Sequence, residues 1–316
     1  MRVVFIGTPE FAIPSLKVLY QHYDVVGVIT APTKPQGRNK QLIAPPVKMF
    51  ADEHGIPVLQ PEKLRSHDFL NALYSLNADI YVVVAFRMLP ECVWAHPKFG
   101  TINLHASLLP NYRGAAPINW AIINGEKYTG VSTFFINNEI DTGNIILQEK
   151  EPISFNDTAN TLSNRLMQNG AQLLLKTVQL VENGKINTTQ QNCITTTHTA
   201  PKIFSDYCAI NFYQPTLNVY NFIRGLSKDP GAWTTICGIR CKIYACHPVD
   251  YSPSNPGQLH TDSKNYLYIE TIDGAISIDE IHPAGKKSMN IKSFLAGYGR
   301  KITSKQCNIP PLSKTQ

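Results

Sequence analysis

The run Ile80-Tyr81-Val82-Val83-Val84-Ala85 decides the fold class of this chain. It carries no charge and is rich in β-branched residues, which indicates a strand that is buried on both faces. Similar short apolar runs alternate with helical patterns through the first half of the chain. The other predicted strands are 3–6, 25–29, 101–104 and 131–136, and the predicted helices are 10–21, 46–54, 66–76, 115–124 and 158–182. This alternation predicts a mostly parallel sheet with helices on both faces, in which 80–85 is a central strand.

A change of pattern divides the chain near residue 190. The stretch 182–200 is rich in Asn, Thr and Gln, which is typical of a linker. Beyond it, a helix around 217–225 precedes strand-like runs and turn signals that favour a small barrel of the OB type. We therefore expect an α/β protein with three regions, which are a Rossmann-like domain over 1–188, a linker over 189–204 and a smaller C-terminal β-barrel domain over 205–316.

The composition argues against several classes of protein. A chain of 316 residues that is 43% hydrophobic can bury two cores. It opens on a strand pattern rather than a signal peptide and has no apolar run of about eighteen residues, so we expect a soluble, cytoplasmic protein. The seven cysteines form no CxxC pair and no zinc-finger spacing, which predicts reduced thiols and no metal.

Positive charge is concentrated in two places. The formal net charge is +6, and no acidic residue follows Glu280. The basic residues after that point are Lys286, Lys287, Lys292, Arg300, Lys301, Lys305 and Lys314, and the proline-rich loop 30–46 adds Lys34, Arg38 and Lys40. Such clusters fit a partner with phosphates. From charge alone, a solvated tail kept for solubility and a flexible connecting loop remain open alternatives.

The candidate chemistry lies in Asn103-Leu104-His105, at the end of a predicted strand. The two-residue period of a strand places the amide of Asn103 and the imidazole of His105 on one face. In acyl transfer to an amine, the amide can stabilise an oxyanion and the imidazole can move a proton near neutral pH. Asp141 is the leading candidate for a carboxylate that orients the imidazole. Taken alone, the histidine could equally be structural, and Asp141-Thr142-Gly143 could be a simple turn.

The longer string Asn103-Leu104-His105-Ala106-Ser107-Leu108-Leu109-Pro110-Asn111-Tyr112-Arg113-Gly114-Ala115-Ala116-Pro117-Ile118 strongly resembles the signature of the 10-formyltetrahydrofolate-dependent formyltransferases. The resemblance implies that Asn103, His105 and Asp141 are catalytic. It also implies that the folate site is lined by Ser107, Leu108, Leu109 and Pro110. The co-substrate would be 10-formyltetrahydrofolate, without a metal.

Motifs elsewhere in the chain resemble one branch of that group, the methionyl-tRNA formyltransferases. They are Gly7-Thr8-Pro9-Glu10-Phe11-Ala12, the Gly37-Arg38 loop, Asp229-Pro230-Gly231-Ala232-Trp233 and Pro283-Ala284-Gly285-Lys286-Lys287-Ser288-Met289. The resemblance implies formyl transfer to the α-amino group of methionyl-initiator tRNA, and we expect the protein to be a monomer. Lys and Arg contacts to phosphates would hold the RNA, with Arg38, Lys40, Lys286 and Lys287 as candidates.

One segment departs from the family pattern. Phe86-Arg87 stands where the family usually has Tyr-Gly, so a large cation lies near the expected folate pocket unless Arg87 points to solvent. Two rival functions remain at this point. One is formylation of an amino sugar on a nucleotide, and the other is RNA binding by an inactive enzyme scaffold.

Overall fold

The computed structural model describes residues 1–36, 41–191 and 198–302. The described residues form two compact units. Unit 1 contains the described residues of Met1–Pro117, Tyr128–Pro152 and Ser163–Ala200. Unit 2 contains Ile118–Lys127, Ile153–Leu162 and the chain from Pro201 to the last described residue, Ile302.

The first two-thirds of the chain alternates strands and helices, as the sequence predicts. The strands are β1 (Arg2–Gly7), β2 (Asp24–Ile29), β3 (Lys34–Gln36), β4 (Gln41–Ile43), β5 (Val58–Leu59), β6 (Ile80–Val84), β7 (Thr101–His105), β8 (Arg113–Gly114), β9 (Tyr128–Phe135), β10 (Ile145–Pro152) and β11 (Thr199–Ala200). The helices are α1 (Ile13–His22), α2 (Pro46–Glu53), α3 (His67–Ser75), α4 (Glu91–Trp94), α5 (Pro117–Ile123) and α6 (Ala159–Glu182). Every strand and helix predicted for this region of the chain is confirmed within a few residues.

The main sheet of unit 1 has seven strands in the order β10-β9-β7-β6-β1-β2-β5. Strands β7, β6, β1, β2 and β5 are parallel, while β9 runs antiparallel to both β7 and β10. All five residues of β6 are buried, which explains the uninterrupted apolar run there. The predicted α/β class and the mostly parallel sheet are therefore confirmed.

The sequence analysis did not predict β10, and its burial pattern explains why. Only Ile145 and Ile146 are buried, and the following residues alternate between half-buried and exposed along this edge strand. The half-buried positions beyond Leu147 hold Glu149 and Glu151, so the strand lacks the apolar alternation that marks a strand covered on one side. Within unit 1, the short strand β11 pairs with β8, so Thr199 and Ala200 of the predicted linker join a two-stranded sheet.

Unit 2 is built on an antiparallel sheet. Its strands are β12 (Trp233–Ile236), β13 (Ile239–Val249), β14 (Leu259–Thr261), β15 (Leu267–Glu270), β16 (Ala275–Pro283) and β17 (Met289–Asn290), and its helices are α7 (Thr216–Leu226) and α8 (Ile291–Tyr298). The strand order is β12-β13-β16-β15-β14, with β17 added on β16. This curled sheet is half of a barrel and agrees with the predicted smaller C-terminal domain.

Two short segments that the sequence places in the first domain group with unit 2. They are 118–127 and 153–162. Inside unit 2, the side chain of Asn119 donates to the carbonyl of Gly225 at 2.7 Å. The buried guanidinium of Arg224 donates to the carbonyl of Asp157 at 2.8 Å. Such long-range hydrogen bonds leave no periodic signal in the sequence, so the prediction could not include them.

The basic segment after Glu280 is folded as far as Ile302, so the alternative of a solvated tail is wrong for residues 281–302. The segment includes the end of β16, all of β17 and α8. Buried apolar side chains anchor it in the core of unit 2, namely Ile281, Ile291, Phe294, Leu295 and Ile302. The side chain of Asn290 caps α8 by accepting a hydrogen bond from the backbone N–H of Ser293. No helix among the described residues is long and apolar enough to span a bilayer.

Candidate functional site

The candidate site of unit 1 begins at the carboxyl end of β7. This strand lies between β6 and β9, where Asn103 pairs with Val83 on one side and with Phe134 on the other. His105 is 7% exposed, while Asn103 is half-buried. The side-chain amide of Asn103 makes no hydrogen bond within the described ranges, so its N–H groups are free to meet a substrate oxygen.

The imidazole of His105 is held on two sides. Its Nε2 lies 2.8 Å from the carbonyl oxygen of Tyr112. Because a carbonyl can only accept, Nε2 must carry the proton in this arrangement. The other nitrogen, Nδ1, lies 3.7 Å from Oδ2 of Asp141. That distance is too long for a hydrogen bond but short enough for an ion pair when the imidazole is doubly protonated.

Asp141 occupies a turn with an unusual backbone. Its φ of 55° lies in the left-handed region, which aspartate tolerates better than most residues. Its Oδ2 accepts a hydrogen bond of 2.9 Å from the backbone N–H of Gly114. The side chain of Gln191 donates to the carbonyl oxygens of Asp141 and Gly143, at 2.9 Å and 2.7 Å. The turn therefore aims the carboxylate at His105.

The segment 107–110, for which the sequence predicts a folate-lining role, is held by a compact set of hydrogen bonds. The Ser132 hydroxyl donates to the carbonyl of Ser107 at 2.6 Å and accepts from the N–H of Leu109 at 3.1 Å. The Gln148 amide donates to the Leu109 carbonyl at 3.0 Å. The side chain of Ser107 is fully buried and donates to the carbonyl of Asn111 at 2.6 Å.

These contacts separate the four predicted folate residues into two pairs. Ser107 is buried, as is Leu109, which packs in a small cluster with Phe134 and Ile145. Leu108 and Pro110 are half-buried, so each retains a surface that a ligand can contact. The first pair shapes the segment, and the second pair can contact a ligand.

Arg87 is exposed, but its guanidinium is bound to a neighbouring loop. Its Nη1 donates to the carbonyl of Glu62 at 3.1 Å, and its Nη2 donates to the carbonyl of Pro61 at 2.6 Å. The guanidinium also lies 5.8 Å from the centre of the Phe86 ring. The departure from the family pattern therefore ties the segment after β6 to the neighbouring loop.

Only two of the four predicted phosphate contacts lie within the described residues. Lys286 and Lys287 are exposed in the turn between β16 and β17. His282 supports this turn, because its Nε2 lies 2.8 Å from the carbonyl of Lys286. Arg38 and Lys40 lie outside the described residues. Within 1–36, 41–191 and 198–302, no group of His, Cys, Asp and Glu is arranged to hold a metal ion.

Comparison with known proteins identifies the family of this chain. The model of the formyl transferase family matches residues 1–178, and that of the formyl transferase C-terminal domain matches residues 202–299. The chain belongs to the formyl transferase family. A relative from Parabacteroides distasonis, named methionyl-tRNA formyltransferase, is 48% identical over 94% of this chain and 96% of its own length. One of the same name from Phocaeicola vulgatus is also 48% identical over the same shares of the two chains.

Solved structures share the fold of this formyl transferase. An N-formyltransferase from Helicobacter canadensis, in complex with folinic acid and dTDP-3-aminofucose, has a TM-score of 0.66 and 25% identity, covering 87% of this chain and 97% of that one. WlaRD, a sugar 3N-formyl transferase in the presence of dTDP and 5-N-formyl-THF, also has a TM-score of 0.66, at 22% identity over 91% and 99% of the two chains. The second likeness establishes the fold only.

The sequence analysis assigned no role to four residues of this candidate site. They are Arg113, Ser132, Gln148 and Gln191. Arg113 lies inside the family signature, and that position was the only available signal. The other three act through hydrogen bonds to distant segments, which single-sequence patterns do not record.

Proposed function

We propose that this formyl transferase moves a formyl group from 10-formyltetrahydrofolate to the α-amino group of methionine on initiator tRNA. The identity of 48% to a methionyl-tRNA formyltransferase over 94% of the chain carries this proposal. It covers both units, so it includes the basic segment after Glu280 as well as the candidate site. Asn103 and His105 lie near the carboxyl end of β7 and Asp141 lies 3.7 Å from His105, which supports catalysis rather than RNA binding alone.

Asn103 stabilises the negative charge that develops on the formyl oxygen. When the amine nitrogen bonds to the formyl carbon, that oxygen becomes an oxyanion. The Asn103 amide supplies an N–H donor that has no other partner within the described ranges. A fixed neutral donor serves this purpose because it needs no change of protonation during the reaction.

His105 transfers the proton that leaves the attacking amine, and Asp141 supports this transfer. The bond from the formyl carbon to the folate nitrogen breaks as the amide forms, so one proton must pass from the amine to the leaving group. Nε2 of His105 can accept this proton once it exchanges the Tyr112 carbonyl, 2.8 Å away, for the substrate and its own proton moves to Nδ1, beside Asp141. Asp141, 3.7 Å from Nδ1, stabilises the doubly protonated imidazole that results.

The folate is proposed to lie along 107–110. The exposed surfaces of Leu108 and Pro110 offer apolar contact, while Ser107 and Leu109 keep the segment in shape. The described residues fit such a ligand, because this segment is fixed by the Ser132 and Gln148 hydrogen bonds and follows directly on Asn103 and His105.

The tRNA is proposed to contact Lys286 and Lys287 through its phosphates, with Arg38 and Lys40 contributing from their loop. Salt should therefore weaken the binding of tRNA. We further propose that the protein is a cytoplasmic monomer. Its domains are proposed to be a catalytic domain over 1–188, a linker over 189–204 and a tRNA-binding domain over 205–316.

The test is a formylation assay with 10-formyltetrahydrofolate and methionyl-initiator tRNA. Formylmethionyl-tRNA is expected, whereas transfer only to a dTDP-linked amino sugar, or tight tRNA binding without transfer, would replace the proposal. Asn103→Ala should lower kcat by about 100- to 1,000-fold, as for loss of an oxyanion donor. His105→Ala and Asp141→Ala should also be strongly impaired. Asn183→Ala is the control, because the exposed side chain of Asn183 follows α6 and donates to the carbonyl of Gln179.

A further inference from the structure

The segment 112–114 holds both members of the His105–Asp141 pair through its backbone. The Tyr112 carbonyl accepts from Nε2 of His105 at 2.8 Å. Two residues later, the N–H of Gly114 donates to Oδ2 of Asp141 at 2.9 Å. The spacing between the imidazole and the carboxylate therefore depends on where this one segment lies.

The side chain of Arg113, the residue between Tyr112 and Gly114, contacts Gln191. Arg113 donates from Nε at 3.1 Å and from Nη2 at 2.6 Å to the same oxygen, Oε1 of Gln191. The amide nitrogen of Gln191 donates in turn to the carbonyls of Asp141 and Gly143. Gln191 is only 7% exposed. A primary amide has two N–H donors and one oxygen with two lone pairs, and all four are used here.

We propose that Gln191 and Arg113 are positioning residues, which set the distance between Asp141 and His105 by linking the segment 112–114 to the turn 141–143. This inference rests on the proposed function, because it concerns how that reaction is supported. Neither residue belongs to the proposed catalytic set Asn103, His105 and Asp141. Their contribution is to hold the carboxylate at 3.7 Å from the imidazole.

The backbone of both linked segments explains why they need such support. Tyr112 has φ 60° and Asp141 has φ 55°, and both values lie in the left-handed region that non-glycine residues rarely adopt. These conformations persist only when surrounding contacts enforce them. Loss of the Gln191 hydrogen bonds therefore allows the turn at Asp141 to relax away from His105.

The folate segment should be independent of this link. It is held by Ser132 and Gln148, through hydrogen bonds that involve neither Gln191 nor Arg113. Disturbing the link should therefore lower kcat without a matching change in KM for the formyl donor. A residue that merely stabilised unit 1 would not produce this separation.

The experiment compares Gln191→Glu and Gln191→Leu with the unmodified full chain. Glutamate keeps the contact with Arg113 but turns both donors toward Asp141 and Gly143 into acceptors, while leucine removes both sides of the link. A displacement of about 1 Å is enough to lower kcat by about 100-fold. KM for 10-formyltetrahydrofolate should stay within about threefold of the original value. Because Gln191→Glu is isosteric, it carries the test if the leucine variant does not fold.

Asn169→Leu is the matched control. Asn169 is a half-buried side-chain amide of unit 1, and its Nδ2 donates to Oε2 of Glu151 at 2.8 Å. Asn169→Leu should also lower the free energy of unfolding, because it removes a hydrogen bond, but it should retain the kcat of the unmodified chain. In addition, the double variant Arg113→Gln with Gln191→Leu should be no slower than the worse single variant, because the two residues act as one unit.

The imidazole ¹⁵N resonances of His105 provide a readout that does not depend on turnover. They should move in Gln191→Glu and stay in place in Asn169→Leu. Unchanged resonances, or a folded Gln191→Glu enzyme with its original kcat, would overturn the proposal. If the unmodified chain formylates no methionyl-tRNA, the proposed function fails, while the resonances still decide whether Gln191 positions the pair.

Discussion

Replacing Gly143 by alanine tests the geometry of the site most directly. A Cβ atom at this position would lie 1.6 Å from the carbonyl oxygen of Phe135 and 2.8 Å from its carbonyl carbon. Ordinary contact begins near 3.4 Å, so the two backbones must separate by about 1.8 Å. Both neighbouring atoms belong to the backbone of β9, so no flexible side chain can move aside.

The displacement should pass directly to Asp141. Gln191 binds the carbonyls of Asp141 and Gly143 together, so a shift at one end of the turn moves the other. Since a misplacement of about 1 Å can cost about 100-fold in rate, Gly143→Ala should lower kcat by at least about 100-fold. Overpacking should also lower the free energy of unfolding by about 1 to 3 kcal/mol.

The assay measures kcat at saturating formyl donor and methionyl-tRNA, with circular dichroism to establish that the variant is folded. Gly297→Ala makes the same chemical change in the exposed face of α8, where nothing lies within 4 Å of the added Cβ. The control should keep the original kcat. A folded Gly143→Ala enzyme with nearly unchanged kcat would refute the claim that this close approach fixes Asp141.

Three further outcomes are expected. Ser132→Ala should raise KM for the formyl donor more than it lowers kcat, because the lost hydroxyl holds the segment 107–110. Steady-state kinetics measures both constants, and an unchanged KM would contradict the prediction. Glu270 is buried, which opposes its charge, yet two backbone N–H groups and His260 hold the pKa of Glu270 below its usual value. Its stabilising effect is therefore complete above the unfolded pKa and is lost as pH falls through the lower folded pKa, so Glu270→Gln should flatten the acid side of a stability–pH curve. Gly297→Ala should stabilise α8 by about 0.5 to 1 kcal/mol, seen as a higher urea midpoint for unit 2, and a lower midpoint would contradict it.

Sequence reasoning succeeded where the signal is local and failed where it is not. The strand β6 was predicted because burial on both faces gives a continuous apolar run. The helix α6 was predicted because the residues of its buried face recur every three to four positions. The helix α8 was missed because its lysine-rich surroundings suggested a tail, although Ile291, Phe294 and Leu295 enter the core of unit 2.

The sequence by itself determined the α/β class, the position of Asn103 and His105 on one face of β7, and the family. These follow from side-chain period and from a continuous signature. Only the tertiary structure decided that Asp141 lies 3.7 Å from His105, and that Gln191 reaches Arg113 across 78 positions of the chain. The reason is physical: a hydrogen bond depends on where two segments meet in space, and the residues between them set that meeting through the packing of the whole sheet.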